Sequence, residues 1–393
     1  MTRILKKDYL RGESMVIRYK TAYSDGAKLS DGCLNVQNGR FTGCPENSAV
    51  DLDLSDYLVF PGFIDMHTHG GAGLDSTTAS FDELDRMSEF YAENGVSVFL
   101  ATTVTSTTEL MFKALDTISD RIEAGTSGAA IAGIYLEGPY ISKEFKGAHD
   151  PALIRDISLG EISEIITRAR GNLKVFTIAP EKENAIKAIS YITEQGVKVS
   201  VGHSAANMQQ GRAAFDAGAK ILVHTYNAMA GLKHRDVGML GIALMRDDVY
   251  CEMICDLVHI CPEALKIVLT CKDPDKVIYI TDSMSAAGMP DGDGFLGELP
   301  VVVKNGIVRT LDGALAGSSL RMNVALRNAV RVLGVPIETA VKAITVNPAA
   351  ALGMSGEIGS LSARHRAHLT ALDEDFNVVL TMVDGRIVYD NRK

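Results

Sequence analysis

The sequence predicts an α/β fold in which a (β/α)8 TIM-like barrel is accompanied by a small β-sandwich domain built from both chain ends. Eight short apolar, β-branched runs occur between residues 57 and 285. Most of them precede a stretch with apolar residues at helical spacing, such as FDELDRMSEFYAEN. Strands that alternate with helices form parallel βα units, and eight units close into a barrel.

The predicted barrel strands are YLVFPGFIDMHTH, VSVFLATT, AAIAGIYLEGPY, LKVFTIAP, VKVSVGHS, AKILVHTYN, VYCEMICDLVH and KVIYITDS. The rival fold is a doubly wound open sheet, which gathers its polar groups at one switch point, often behind a glycine-rich loop. No GxGxxG motif directly follows one of these runs, and polar residues end many of them. We therefore predict a barrel over residues 60–355.

The two ends of the chain read as short strands separated by turns. Residues 15–59 contain the turn sequences YSDG, LSDG and QNGR, and the other end reads LTALDEDFNVVLTMVDGRIVYD. We predict that residues 1–59 and 356–393 form one small β domain, with residues 1–14 as an extension before its first strand. After the eighth barrel strand, LPVVVKNGIVRTL predicts a hairpin that turns at Asn305 and Gly306 and lies at the rim of the active site.

The amino-acid composition limits the classes of protein to which the chain can belong. Of the 393 residues, 46% are hydrophobic and 22% charged, which is typical of a packed globular protein. The net charge of -10 disfavours a nucleic acid or an anionic membrane as a partner. The absence of an 18-residue apolar run disfavours a membrane span. The six cysteines include no CxxC pair, so we predict reduced core thiols and a cytoplasmic location.

The stretch FIDMHTHGGAG places two histidines at the end of the first predicted strand. Residues two apart in a strand point the same way, so His67 and His69 face one side about 6–7 Å apart, with Asp65 behind them. Two imidazoles can then reach one metal ion. The alternative is a pair of unrelated polar histidines.

Four more polar residues end other predicted strands, and they decide between these alternatives. A single buried histidine is usually a core residue, and a buried glutamate is rare unless it is paired. Groups at several strand ends of one barrel instead predict a metal centre, whose ligands would be His67, His69, Glu137, His203, His224 and Asp282. Imidazole and carboxylate ligands suit one or two divalent ions, with zinc favoured and iron, manganese or cobalt as alternatives.

This ligand set predicts hydrolysis. One ion would lie between His67 and His69 and another between His203 and His224, with Glu137 bridging the two. Water bound to such an ion loses a proton near neutral pH and becomes a nucleophile. Asp282 is placed to take that proton and to hand it to a leaving group.

The chain resembles the amidohydrolase superfamily through PGFIDMHTHG. It resembles the branch that deacetylates phosphorylated amino sugars through YLEGPYIS, KGAHDP, VGHSAA, HTYNAM, ITDSMSAAG, LAGSSL and VNPAAALG. The resemblance extends from Pro61 to Gly353, whereas ARHRAH departs from the family pattern. Many superfamily members bridge two metals with a lysine after strand four. That strand ends here in TIAPE, so the resemblance assigns the bridge to Glu137 and implies a weaker site at His67 and His69.

The resemblance also implies a substrate and a partner. It implies hydrolysis of the acetamide of N-acetylglucosamine 6-phosphate to glucosamine 6-phosphate and acetate, with Asp282 as general acid and base. It implies a homodimer in which Arg235 reaches the neighbouring site. The substrate-binding residues that it implies are Ala148, His149, Asn227, Ala228, Arg235, His259, Leu315, Ala316, Gly317 and Ser318.

Three alternatives stay open at this point. The sugar could be the galacto epimer, N-acetylgalactosamine 6-phosphate, because the sequence does not place the one hydroxyl that differs. A cyclic amidohydrolase is disfavoured by the missing lysine and by KGAHDP and HTYNAM. A barrel without catalytic activity is disfavoured because all six strand-end groups are present. His365 and His368 match no motif and are predicted to lie at the surface.

Overall fold

The computed structural model describes residues 14–44 and 48–392, so the predicted extension at residues 1–14 lies outside it except for Ser14. The strands, in chain order, are Ser14–Ser24 (β1), Ala27–Gln37 (β2), Arg40–Thr42 (β3), Leu52–Asp53 (β4), Leu58–Pro61 (β5), Phe63–Thr68 (β6), Gly70–Gly71 (β7), Leu74–Asp75 (β8), Val96–Thr103 (β9), Ala130–Leu136 (β10), Leu173–Ile178 (β11), Lys198–Val201 (β12), Ile221–Leu222 (β13), Tyr250–Ile254 (β14), Val277–Ile280 (β15), Gly292–Leu296 (β16), Leu299–Lys304 (β17), Ile307–Thr310 (β18), Leu369–Leu372 (β19), Val378–Val383 (β20) and Arg386–Asp390 (β21). The α-helices are Phe81–Glu93 (α1), Thr108–Ala124 (α2), Leu159–Arg168 (α3), Ala185–Glu194 (α4), Met208–Asp216 (α5), Gly238–Met245 (α6), Pro262–Cys271 (α7), Met322–Arg331 (α8), Ile337–Lys342 (α9) and Val346–Ala351 (α10).

The predicted barrel is confirmed. Eight parallel strands follow one another in the order β6, β9, β10, β11, β12, β13, β14 and β15. The first and last strands meet where they end, because the backbone N–H of Asp282 donates to the carbonyl of His67, at 3.0 Å, and that of His69 donates to Ser283, at 2.7 Å. The carboxyl ends of all eight strands therefore surround one mouth.

Local sequence explains why the barrel helices begin where they do. A capping box joins Ser80 and Glu83 before α1, and a second joins Asn207 and Gln210 before α5. The hydroxyl of Thr107 caps α2 by accepting a hydrogen bond from a backbone N–H of its first turn. Such caps satisfy N–H groups that a helix start leaves unpaired.

The predicted second β domain is confirmed as a sheet formed by both ends of the chain. Its strands lie in the order β21, β20, β19, β5, β1, β2 and β3, and β4 also pairs with β1. The sheet has its own apolar core, which includes Ile17, Phe41 and Leu380. The hydroxyl of Thr370 donates to the carbonyl of Gly95 at 2.6 Å and ties the sheet to the barrel. The first predicted barrel run is divided between β5 in this sheet and β6 in the barrel.

The predicted hairpin is also confirmed. β17 and β18 pair antiparallel, and both turn residues have the positive φ angles of a tight hairpin, 53° at Asn305 and 71° at Gly306. β16 adds a third strand to this sheet. The carboxylate of Asp75 accepts a hydrogen bond from the backbone N–H of Gly297 at 2.8 Å, so the small sheet is fastened to the barrel mouth.

Two sequence predictions are wrong. The six cysteines are not all reduced core thiols, because β2 and the segment after β3 bring Cys33 and Cys44 together in a disulfide. Cys261 and Cys271 are exposed, and only Cys251 and Cys255 are buried free thiols. His368 is not a surface residue, because its ring is buried 3.3 Å from the carboxylate of Asp384.

No helix within the described residues is both long and apolar enough to cross a membrane.

Candidate metal centre

The structure brings the six predicted ligands together at the barrel mouth. Each follows or ends a strand whose preceding residues are buried, and each has at most 7% of its surface exposed. They are His67 and His69 at β6, Glu137 after β10, His203 after β12, His224 after β13 and Asp282 after β15. Ionisable groups are rarely buried at this density without a charged partner.

The backbone bends sharply at two of the strand ends and in the loop that follows His224. His203, Ala228 and Asp282 have positive φ angles of 44°, 47° and 48°. This left-handed region is uncommon for residues other than glycine, and such strain concentrates at functional sites.

Glu137, His203 and His224 form one group of converging ligand atoms. Oε1 of Glu137 lies 2.9 Å from Nε2 of His224 and 3.2 Å from Nε2 of His203. Nδ1 of His203 lies 2.9 Å from the carbonyl of Phe145, which can only accept a hydrogen bond. The proton of neutral His203 is therefore on Nδ1, and its Nε2 lone pair faces a carboxylate oxygen. A divalent cation fits this arrangement of acceptors.

His67, His69 and Asp282 form a second group. Nε2 of His69 lies 3.1 Å from Oδ1 of Asp282 and 3.2 Å from Oε2 of Glu137. Nε2 of His67 lies 3.5 Å from Oε1 of Glu137. Because both oxygens of Glu137 have histidine neighbours, its carboxylate lies between the two groups. The residues present therefore fit one ion or two.

Buried opposite charges shift the pKa values of the site. Burial opposes the charge of His69, but Asp282 and Glu137 outweigh it and raise the pKa of His69 to about 9. Burial would raise the pKa of Asp282, yet the hydrogen bond from His69 and the charge of His67 hold it at about 2. Burial lowers the pKa of His203 to about 4 despite the nearby Glu137. The carboxylates are thus ionised and suited to a positive partner.

His149 directs a hydrogen-bond donor at the same centre. The backbone N–H of Thr105 donates to Nδ1 of His149 at 3.2 Å, so the proton of the neutral ring is on Nε2. That atom lies 3.4 Å from Oε2 of Glu137. The loop that carries His149 passes close to His203, since a Cβ atom at Gly147 would lie 3.1 Å from its ring. Gly147 also has a φ angle of 54°, which favours glycine.

Of the predicted substrate-binding residues Asn227 and Ala228, only Ala228 has a free backbone N–H in the part of the chain that the structure describes. The backbone N–H of Asn227 already donates to the carbonyl of His224 at 2.9 Å. The N–H of Ala228 has no hydrogen-bond acceptor among the described residues and remains available to a ligand. The carbonyl of Ala228 accepts from the N–H of Ser204 at 3.1 Å, which holds this loop beside the His203 strand end.

His259, Gly317 and Ser318 line a neighbouring cavity of about 340 Å³. Nδ1 of His259 lies 2.7 Å from a carboxylate oxygen of Asp256, which leaves Nε2 for a ligand. The backbone N–H of Ser318 donates to the carbonyl of Asp282 at 2.7 Å. A Cβ atom at Gly317 would lie 3.1 Å from the same carbonyl. The remaining predicted residues of this region are Ala148 and Leu315, which are half-buried, and Ala316, which is buried.

Arg235 forms no hydrogen bond with these residues in the described part of the chain. It is exposed in a turn closed by the backbone hydrogen bond from Lys233 to Asp236, at 2.9 Å. Its guanidinium has no hydrogen-bond partner in the described part of the chain. Lys233 and His234 are exposed beside it, so the turn presents a basic surface.

Sequence reasoning missed the residues that orient these side chains. Glu252 lies 2.9 Å from Nδ1 of His67, Asp256 orients His259, and Thr105 orients His149. Glu252 left a signal in the sequence, because it is a charged residue inside the apolar run VYCEMIC. The backbone donor of Thr105 left none, since any residue supplies an N–H.

Comparison with known proteins identifies the family of the chain. The profile of the amidohydrolase family matches residues 58–388. The N-acetylgalactosamine-6-phosphate deacetylase of Escherichia coli O157:H7 is 39% identical over 95% of this chain and 98% of its own. The N-acetylglucosamine-6-phosphate deacetylase of Vibrio furnissii is 41% identical over 88% and 86%.

A solved structure supports the same family. A mutant of the N-acetyl-D-glucosamine-6-phosphate deacetylase of Mycobacterium smegmatis, in complex with N-acetyl-D-glucosamine-6-phosphate, superposes with a TM-score of 0.91. It is 34% identical and covers 96% of this chain and 100% of its own. Together with the barrel and its strand-end histidines and carboxylates, these matches show that the chain belongs to the amidohydrolase family.

Proposed function

We propose that the protein hydrolyses the acetamide of N-acetylglucosamine 6-phosphate to glucosamine 6-phosphate and acetate. The observation that carries this proposal is the convergence of Glu137, His203 and His224 beside Asp282 at the barrel mouth. The relatives named above, at 39% and 41% identity, are deacetylases of 6-phosphorylated N-acetyl amino sugars.

The six ligand residues would hold one or two divalent ions, of which zinc is the first candidate because it accepts both imidazole and carboxylate. Such an ion polarises a carbonyl and makes water acidic enough to ionise near neutral pH. The pair of His67 and His69 would hold the second ion.

Asp282 carries the proton in this scheme. Its ionised carboxylate accepts a proton from the attacking water and then delivers it to the amine nitrogen as the carbon–nitrogen bond breaks. The backbone around it is fixed, because its N–H donates to His67 and its carbonyl accepts from Ser318. Nε2–H of His149 donates to the acetyl oxygen, where negative charge develops in the transition state.

The phosphate requires a positive partner in a chain whose net charge is -10. We assign it to the free N–H of Ala228, to His259 and to Arg235 of a second subunit, whose guanidinium can form a charge-assisted contact. This assignment includes a homodimer, because Arg235 is exposed in its own chain and can contact a neighbouring subunit. The loop at residues 315–318 and Ala148 would contact the sugar and its acetyl group.

We also propose a cytoplasmic location. Four of the six cysteines are free, which supports this location, whereas the disulfide between Cys33 and Cys44 does not.

The galacto epimer is the second candidate, because one relative is an N-acetylgalactosamine-6-phosphate deacetylase that matches 98% of its own length. The deciding experiment measures acetate release from both 6-phosphates after reconstitution with zinc, iron, manganese or cobalt. We expect the higher kcat/KM on the gluco epimer. A higher value on the galacto epimer would reassign the substrate, and acetate from neither sugar would reject the proposal.

A further inference from the structure

Glu252 is a buried carboxylate that no step of the proposed reaction uses. It lies in the middle of β14, and none of its surface is exposed. Its Oε2 atom lies 2.9 Å from Nδ1 of His67 and accepts the backbone N–H of His224 at 3.2 Å. A carboxylate inside a strand is stable only with such partners. Both partners belong to the candidate metal centre.

The contact determines which nitrogen of His67 carries the proton. A carboxylate can only accept, so Nδ1 of a neutral His67 must donate to Glu252 and its Nε2 must carry the lone pair. Nε2 has no hydrogen-bond partner among the described residues. It points instead toward Oε1 of Glu137, at 3.5 Å, and Oδ1 of Asp282, at 3.7 Å.

His69 provides a contrast within the same pair. Its Nδ1 atom is buried and has no hydrogen-bond partner in the described part of the chain. The orientation of His69 therefore comes from packing and from its Nε2 contacts. Of the two histidines in FIDMHTH, His67 alone has a carboxylate behind it.

We propose that Glu252 is a positioning residue that holds the proton of His67 on Nδ1 and so presents its Nε2 lone pair to a divalent ion. That ion lies among His67, His69 and Asp282, and the inference rests on the proposed metal-dependent function. The same oxygen binds the N–H of His224, so one carboxylate aligns ligands of both groups. Removal of such a supporting contact typically weakens metal binding about 10–100-fold.

The test compares two substitutions of Glu252. Glu252→Met keeps a similar side-chain length but has no strong acceptor, whereas the amide oxygen of Glu252→Gln can accept both N–H groups. Nitrogen-15 NMR of histidine-labelled protein reports the tautomer of His67, with His67→Asn to assign its signals. Retention of Co²⁺ against a chelator reports metal binding, with His69→Ala as the benchmark for losing the ion beside His67.

Glu161→Gln is the matched control. It removes the charge of another carboxylate, which contacts Tyr140 and Arg155. We expect this variant to keep the wild-type tautomer and cobalt retention, and circular dichroism of every variant checks the fold.

We expect Glu252→Met to shift the His67 proton toward Nε2 and to weaken cobalt retention about 10–100-fold. We expect cobalt retention by Glu252→Gln to stay within a few-fold of that of wild type. An unchanged tautomer or unchanged retention in Glu252→Met would overturn the inference, as would an equal loss in both variants. Wild-type retention in His69→Ala would also overturn it, because His67 would then bind no ion.

Acetate release by the wild-type protein separates this inference from the proposed function. Normal release with no effect of Glu252→Met would reject only the role of Glu252. Absence of release from either epimer would reject the proposed function, whatever the His67 tautomer is.

Discussion

Nε2 of His203 lies 2.9 Å from Nε2 of His224. Because the carbonyl of Phe145 places the proton of His203 on Nδ1, the lone pair of its Nε2 atom points at this neighbour. Oε1 of Glu137 faces both nitrogens. Acceptor atoms this close repel unless a proton or a cation lies between them. A divalent ion bound among Glu137, His203 and His224 would relieve the repulsion at all three contacts.

Asp282→Asn tests the proton carrier. The amide has nearly the same shape but cannot accept a proton, so we expect kcat to fall about 10²–10⁴-fold. Acetate release measures this loss, while circular dichroism and the metal bound by Glu137, His203 and His224 stay close to wild type. Asp293→Asn, at an exposed acid in β16, serves as the control and should keep its activity. Near-normal turnover by folded Asp282→Asn would remove this residue from the mechanism.

His149→Gln tests the donor to the acetyl oxygen. The structure directs Nε2–H of His149 into the site, and loss of one donor to a developing oxyanion costs about 10²–10³ in rate. We expect the loss in kcat, with bound metal unchanged. A rise in KM alone, with kcat preserved, would show that His149 only binds the substrate.

Mixed dimers test whether Arg235 acts across a subunit interface. Arg235→Ala alone should raise KM about 10–100-fold, since a hydrogen bond to a charged group contributes roughly 1.5–3 kcal/mol. A dimer of one Arg235→Ala subunit and one Asp282→Asn subunit would contain one complete site. We therefore expect that dissociating the two variants, mixing them and letting them reassociate gives an activity above that of either variant alone. Activity equal to the sum of the separate variants would place Arg235 in its own subunit's site or outside any site.

The terminal sheet should lose stability in acid through Asp384. Burial raises the pKa of this carboxyl, but His368 and Arg366 outweigh it and hold the pKa below its ordinary value of 3.8. The folded state therefore keeps Asp384 ionised at a pH where the unfolded chain binds a proton. The contribution of ionised Asp384 to the free energy of unfolding is complete above about pH 4. It is lost as the pH falls toward the pKa of Asp384 in the folded state.

Urea unfolding between pH 6 and pH 3 measures this contribution. We expect the free energy of unfolding of wild type to fall about 1 kcal/mol further than that of Asp384→Asn, because pH 3 lies about 0.8 units below the ordinary pKa of 3.8 and one pKa unit corresponds to about 1.4 kcal/mol. Groups that do not contact Asp384 titrate equally in both proteins and cancel in the comparison. Parallel pH curves for the two proteins would contradict the role of Asp384.

The barrel and its candidate ligands could be predicted because two simple regularities combine. Each strand is a short apolar run, and parallel strands end at one mouth. Polar residues at the ends of those runs, such as Glu137 and His224, must therefore meet wherever the helices between them lie. The hairpin at Asn305 and Gly306 was equally predictable, because its turn needs two positive φ angles.

Features that depend on contacts between separate elements could not be predicted. Glu252 reads as one residue of an apolar strand, and only the barrel places it behind His67. Cys33 and Cys44 have no distinctive spacing, and the β2–β3 turn is what brings them together. His368 lies in a polar stretch, yet the terminal sheet buries it beside Asp384.

Removal and restoration of metal test the central claim most directly. The protein is stripped with a chelator, dialysed and assayed for acetate release from N-acetylglucosamine 6-phosphate, before and after addition of Zn²⁺. We predict that the stripped protein is folded but inactive and that Zn²⁺ restores release of one acetate per free amine formed. Equal rates of acetate release from fully stripped and reloaded protein would contradict the account.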